Sequence, residues 1–294
     1  MTRVVAIGGG HGTAVTIRAA KHYADDITAI VSVADDGGSS GRLREALGIP
    51  APGDLRRCLV ALADTDAAGG ERNPLAQAFE HRFSANAGEL EGHALGNLVI
   101  AGLADAMGNF PAALEEAARL LNITCGRVLP ATVEAVVLKA EAEEGEVHGQ
   151  VAVAQAGRIV HVSLVPPDPE PPREALKAIE QADQIVLGPG SLFTSVLAAL
   201  AVPKLREAIS ASSARTVYVC NLRSSTETPR FDVAAHVDAL LAHGVTPDVV
   251  LYDDLSMPVG TLDCDGRRAE LSVDEMGSAH DPGKLARALA DLVG

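Results

Sequence analysis

The chain contains no tryptophan, and aromatic residues make up only 3% of its 294 positions. That scarcity removes the stacking platforms on which single-stranded nucleic acids are held. Positive charge is also short, because 24 Lys plus Arg stand against 39 Asp plus Glu for a formal charge of −15. Such a field repels phosphate backbones and anionic lipid surfaces, so neither nucleic acid nor membrane is expected as a partner. No apolar run approaches the ~20 residues that span a bilayer. Met1 to Ile7 runs directly into glycines without the pattern of a secretory leader, so the expected location is cytoplasmic. Cys58, Cys125, Cys220 and Cys264 form no CxxC pair, which excludes a zinc knuckle, a redox motif and a disulfide framework. All four are expected to be buried small hydrophobes. The nine histidines show no HExxH spacing and the serines no nucleophile elbow, so zinc-enzyme and serine-hydrolase readings fall away.

What remains is rich in Ala, Val, Leu and Gly, with 47% hydrophobic residues and 28 glycines. This composition favours parallel strands packed on helices. Arg3 to Ile7 and Ile27 to Val33 read as buried strands flanking a helix at Thr13 to Tyr23, the opening unit of a doubly wound sheet. Helical patterns follow at 54–63, 73–83, 95–107 and 111–121, making residues 53–125 a helical cap or face. Strand patterns at 132–141, 147–154 and 158–165 suggest an antiparallel β-meander inserted at 131–166. The run Pro166 to Pro172 is a stiff linker or strand-to-helix connection, leading into a helix at 173–181. The α/β rhythm resumes with strands at 184–187, 216–220 and 248–252, helices from Ser191 and at 233–243, and a terminal helix at 282–292. The expected fold is α/β, a Rossmann-like doubly wound and mostly parallel sheet with a helical cap and a small antiparallel β insertion.

Five strings carry chemistry. Gly8, Gly9, Gly10, His11, Gly12 and Thr13 join a buried strand to a helix N-terminus, where close backbone approach and free N–H groups suit a phosphate. The match to GxGxxG is imperfect, with Thr13 at the third glycine position, and a tight turn is the alternative. Asp35, Asp36, Gly37, Gly38, Ser39, Ser40, Arg42 and Arg44 follow the second strand, on the same edge of the sheet. The two carboxylates suit Mg²⁺, a ribose hydroxyl or base catalysis, and the serines and arginines suit phosphate; a solvated Asx-turn is the alternative. Gly53, Asp54 and Arg56 come next, Asp54 serving equally well as a helix cap. His93 and Asn97 stand before a helix, as ligand pair or as capped turn. Gly188, Gly190, Ser191, Thr194 and Ser195 repeat the first loop's logic at a later strand, and two anion cradles imply a diphosphate.

In their order, the strings GGGHG, VADDGGSSGRLR, PGDLR, GHALGN and GPGSLFTS, between residue 3 and about 240, resemble the YvcK or gluconeogenesis-factor family, itself related to CofD-like 2-phospho-L-lactate transferases. The resemblance implies a single CofD-like α/β domain over 1–294 and a UDP-sugar ligand such as UDP-N-acetylglucosamine. It also implies a regulatory role linking carbon metabolism to cell-wall precursor supply and cell shape, a protein partner in precursor synthesis, and a homo-oligomer. Asn221 sits where the family carries its sixth-strand Asn, with a ligand role implied. Where the family usually shows Gly-Glu-Thr-x-Gly after that Asn, this chain has Thr226, Glu227, Thr228, Pro229 and Arg230, both glycines replaced. The alternative function is a phosphoryl or nucleotidyl transferase using Asp35 and Asp36 with Mg²⁺ on a nucleotide-diphosphate donor. A nicotinamide oxidoreductase is weaker, because no catalytic Tyr-Lys or His pair stands out.

Overall fold

The computed structural model describes residues 1–63, 73–255, 257–274 and 276–293. Residues 64–72 of the expected helical region lie outside the described residues. The chain opens with strand β1 (Arg3–Gly8), helix α1 (Gly10–Ala20) and strand β2 (Asp26–Val31). Helices α2 (Gly38–Leu47), α3 (Gly53–Ala63), α4 (Pro74–Glu80), α5 (Leu95–Met107) and α6 (Phe110–Leu120) follow, then β3 (Arg127–Pro130). Next come β4 (Val137–Ala142), β5 (Gly145–His148), α7 (Gln150–Ala156), β6 (Ile159–Val165) and α8 (Arg173–Glu180). The chain then returns to the main sheet through β7 (Gln184–Leu187) and a π-helical turn, Leu192–Val196, that runs into α9 (Leu197–Leu200). It closes with α10 (Pro203–Ala211), β8 (Arg215–Val219), α11 (Val233–Ala242), β9 (Val249–Tyr252), β10 (Asp265–Arg268) and α12 (Pro282–Ala290).

Seven strands form one sheet in the order β10-β9-β8-β7-β1-β2-β3, and all its pairs are parallel. Strand order runs outward in opposite directions from the β1–β7 pair, which is the topological switch point of a Rossmann-like doubly wound fold. Ile7 pairs with Leu187 there, so the loops after both strands leave from the same carboxyl edge. The four residues of β7 are all buried, as are five of six in β1 and in β2, the burial expected when helices cover both faces.

The second sheet is antiparallel, in the order β5-β4-β6. It is not a simple meander: the expected strand at 147–154 is instead the end of β5 and helix α7. Alternating Val151, Ala152, Val153 and Ala154 reads as a strand in isolation. Gly149, at φ +93, turns the chain, and the Asp36 carboxylate accepts the Val151 N–H at 2.9 Å, capping a helix from 115 residues away. Strands β3 and β10 are additions that the sequence reading did not contain. β10 reads Asp-Gly-Arg-Arg and sits at the sheet edge, where backbone pairing suffices without an apolar pattern.

The cysteine expectation holds for Cys58 and Cys220, which are buried, and fails for Cys125, which is exposed, and Cys264, which is half-buried. Cys125 donates its thiol to the Asp25 carbonyl in a turn beside β2. Among the described residues, no helix is long and apolar enough to cross a membrane.

Candidate functional site

The glycines after β1 do not form a loose loop. Helix α1 begins at Gly10, so Gly10, His11, Gly12 and Thr13 make its first turn, with Gly9 as N-cap. Gly12 is required by the neighbouring loop: a Cβ there would stand 1.8 Å from the Pro189 carbonyl oxygen. The Thr16 hydroxyl donates to the Gly188 carbonyl at 2.6 Å, fastening α1 to the loop after β7. The two glycine loops therefore meet at the switch point, on one edge of the sheet.

They open into a crevice of about 670 Å³. Of the residues expected to bind a ligand, Gly9, Gly10, His11, Gly12, Asp35, Gly37, Gly38, Ser39, Ser40, Gly53, Asp54, Arg56, Asn97, Gly190, Ser191, Thr194 and Ser195 line it. Gly8, Thr13 and Gly188 lie behind the loops. Thr13 is fully buried with its hydroxyl pressed against Gly8, where a Cβ would come within 2.8 Å. Arg57 also lines the crevice, from the Arg56-Arg57 pair that is one of the two concentrated basic stretches in the sequence; Arg82, Gln150, Val151, Ala154 and Gln155 line it too and were not expected there.

Arg42 and Arg44 are not among the crevice residues. The segment from Gly38 is helix α2, not loop, and its turn carries both side chains away: Arg42 donates to the Glu91 carbonyl and Arg44 to the Val136 carbonyl. The glycines concealed this helix, because glycine is a poor helix former. Asp36 also leaves the site, since its carboxylate caps α7. Asp35 stays, facing the crevice, while its Oδ1 accepts the Gly37 N–H at 2.9 Å in an Asx-turn.

His93 and Asn97 act through Ser39. Arg56 Nε donates to Asn97 Oδ1 at 2.9 Å, which orients the carboxamide so that Nδ2 donates to Ser39 Oγ at 3.0 Å. Ser39 Oγ also lies 3.0 Å from His93 Nδ1, a hydrogen bond that a neutral imidazole makes in either tautomer, accepting from the serine or donating to it. Burial, with Arg42 and Arg82 nearby, lowers the His93 pKa in agreement. Arg56 itself is buried and ion-paired to Glu80 at 2.6 Å, so it braces the wall between α3 and α5.

Two carboxylates stand at the helix ends that were read as open anion cradles. Asp54, in the first turn of α3, turns its carboxylate to the glycine loop: Cβ atoms on Gly9 and Gly10 would stand 2.8 and 3.1 Å from its oxygens. Burial raises its pKa to about 6, against the pull of Arg57, whose Nη1 lies 2.8 Å from Oδ1. Its role is more than the N-cap considered from sequence. At the second loop, buried Glu227 accepts from the Phe193 and Thr194 N–H groups and the Thr194 hydroxyl, at 3.2, 3.3 and 2.8 Å. Burial raises its pKa while these bonds pull it down. Those helix N–H groups are thus already satisfied, and Ser191, Thr194 and Ser195 present the loop's remaining polar surface to the crevice. Asn221 accepts the Gly190 N–H at 3.2 Å and positions this loop from behind. Glu227 could have been found from the retained Glu-Thr of the altered 226–230 string.

The positive charge of the crevice therefore comes from arginines of the helical region. Arg57 is partly exposed beside Asp54, and Arg82 donates to the Gly92 carbonyl. His11 lies close enough to Arg57 for its pKa to fall, after the larger effect of burial. Among the described residues, no three His, Cys, Asp or Glu side chains gather as a metal site.

Fold and crevice together define a Rossmann-like doubly wound α/β protein with its cavity at the switch point. A family model described as 2-phospho-L-lactate transferase CofD matches residues 4–281. The chain belongs to this CofD family, on the gluconeogenesis-factor side of it. It is 45% identical over 257 residues to the gluconeogenesis factor of Halalkalibacterium halodurans, covering 85% of this chain and 77% of that one. It is 44% identical to the gluconeogenesis factor of Bacillus subtilis, covering 82% and 74%. A crystal structure of a UPF0052-family protein from Bacillus halodurans superposes with a TM-score of 0.88 at 38% identity, covering 98% of each chain.

Proposed function

We propose that the chain binds a uridine diphosphate sugar of the UDP-N-acetylglucosamine type. In this reading it is a regulatory protein that ties carbon metabolism to cell-wall precursor supply and cell shape. The observation that carries the reading is the shared crevice. Backbone of the Gly9–Gly12 turn, hydroxyls of Ser40, Ser191 and Ser195, and the guanidinium groups of Arg57 and Arg82 converge on one cavity large enough for a nucleotide. The names of the relatives support the link to carbon metabolism. The choice of uridine rests on the resemblance of the motif string. A protein partner in precursor synthesis and a homo-oligomer belong to the same proposal.

A transferase is the second reading, favoured by the description of the family model and by Asp35 facing the crevice. Mg²⁺ fits there only with help from the ligand. Asp36 is committed to α7, so Asp35 would supply one carboxylate and the ligand's phosphates the remaining oxygens.

Isothermal titration with UDP-N-acetylglucosamine, GDP and NADP, with and without Mg²⁺, separates the readings. Saturable heat is expected from the UDP-sugar at lower concentration than from GDP or NADP. GDP binding without UDP-sugar heat, or Mg²⁺-dependent turnover of a nucleotide lost in Asp35→Asn, replaces the regulator with the transferase.

A further inference from the structure

Helix α7 is the part of the crevice that no sequence motif announced. It belongs to the antiparallel sheet, yet it is fastened to the segments that follow β2 and β7 of the main sheet. Asp36 holds its N-terminus through the Val151 N–H, and Gln150 Nε2 donates to the Thr194 carbonyl at 3.0 Å. A Cβ on Gly37 would stand 3.1 Å from Val151 Cγ2, so the helix packs directly on the acidic loop. Val153, fully buried, anchors its other side in the core.

Residues 150, 151, 154 and 155 fall on one side of a helix, three to four positions apart in pairs. All four line the crevice, and none is charged. Val151 is 46% exposed in a cavity wall, and Gln155 has no hydrogen-bond partner among the described residues. The charged side chains of the cavity come from elsewhere: Arg56 and Arg57 from α3, Arg82 from the connection between α4 and α5, Asp35 and Asp54 beside the glycine turn. The cavity is thus divided by chemistry. One part suits phosphate; the part under α7 offers an apolar patch between two carboxamides, each with a donor and an acceptor.

We propose that this face of α7 holds the neutral, hydroxyl- or amide-bearing group of the ligand, and so sets which diphosphate is accepted. The inference rests on the diphosphate-ligand reading above. A pyrimidine and a hexose both match: each has a face for Val151 and Ala154 and edge groups that pair with a carboxamide. Gln155 is the specificity residue with no other duty, whereas Gln150 is partly engaged in holding the helix.

The test compares inorganic pyrophosphate, UDP and UDP-N-acetylglucosamine on the full chain by calorimetry. Gln155→Ala favours the helix and leaves no buried group unpaired, so folding is retained. It is expected to weaken UDP-N-acetylglucosamine binding about fivefold or more and to leave pyrophosphate unchanged. Ala154→Leu, which fills the patch, is expected to weaken it at least about tenfold with pyrophosphate again unchanged. If UDP loses affinity in parallel, α7 reads the base; if UDP is spared, it reads the sugar. Unchanged affinities in both variants, or an equal loss for pyrophosphate, overturn the inference while the diphosphate reading stands. Wild-type protein that binds none of the three overturns the diphosphate reading itself, and this inference with it.

Discussion

Gly12 and Gly102 show why a glycine's meaning depends on its neighbours. A Cβ at Gly12 would meet the Pro189 carbonyl at 1.8 Å, and backbone at the switch point has nowhere to move, whereas nothing lies within 4 Å of one at Gly102. Gly12→Ala is therefore expected to cost about 3 kcal/mol or more and to abolish binding of the proposed nucleotide sugar by parting the two loops. Gly102→Ala, within α5, is expected to raise stability by about 0.5–1 kcal/mol. Thermal melts of the two variants check this, and equal shifts would refute it. Asp54 stores the opposite kind of cost. Its folded pKa of about 6 lies above the ordinary 3.8, so the folded protein holds a proton there that the unfolded chain releases. That contribution is complete below pH 4 and is lost as pH rises to 6, about 3 kcal/mol by linkage. Asp54→Asn is thus expected to melt roughly 5 °C above wild type at pH 8, with the gap closing toward pH 4.5. A gap that stays constant with pH would show that the carboxylate is not the strained group.

At the scale of elements, two helix ends are governed by distant carboxylates: Asp36 for α7 and Glu227 for the π-helical turn after β7. Removing the first is expected to loosen α7 alone. In Asp36→Ala, amide exchange in α7 should accelerate about fivefold or more, from the loss of about 1 kcal/mol of capping, with α1 unaffected. Exchange that rises uniformly would mean that Asp36 supports the whole edge of the sheet. The first of these contacts and the packing of α2 explain where sequence reading failed. The Val-Ala alternation at 151–154 has a strand's period, and the glycines at 37, 38 and 41 hide a helix. Each was decided by a partner more than 100 residues away or by packing, which local pattern does not carry.

For the molecule as a whole, four thiols report on how evenly the core is closed. Cys58 and Cys220 are buried and their thiols are pushed up by burial; Cys264 is half-buried and raised by burial and by Asp265; Cys125 is exposed. A thiol reagent at pH 8 is expected to modify Cys125 first and Cys264 slowly, while Cys58 and Cys220 react only at the rate of global opening. Rapid modification of Cys220 would indicate that β8 is less protected than its place in the sheet implies.

The doubly wound fold is legible in the sequence, because strands β1, β2 and β7 are near-continuous apolar runs and glycines stand at the carboxyl ends of β1 and β7. The same runs also set which loops meet, since parallel strands at a switch point leave no other choice. Which side chains the crevice keeps depends on packing between segments far apart in the chain. Arg42, Arg44 and Asp36 carry the right chemistry at the right distance along the chain, yet the hidden start of α2 turns the arginines away and α7 claims the carboxylate. Of the two basic stretches only Arg56-Arg57 reaches the crevice, joined there by Arg82 and Gln155, which are unremarkable where they stand in the sequence. A motif fixes where the backbone goes; the direction of a side chain is set by whatever packs against it.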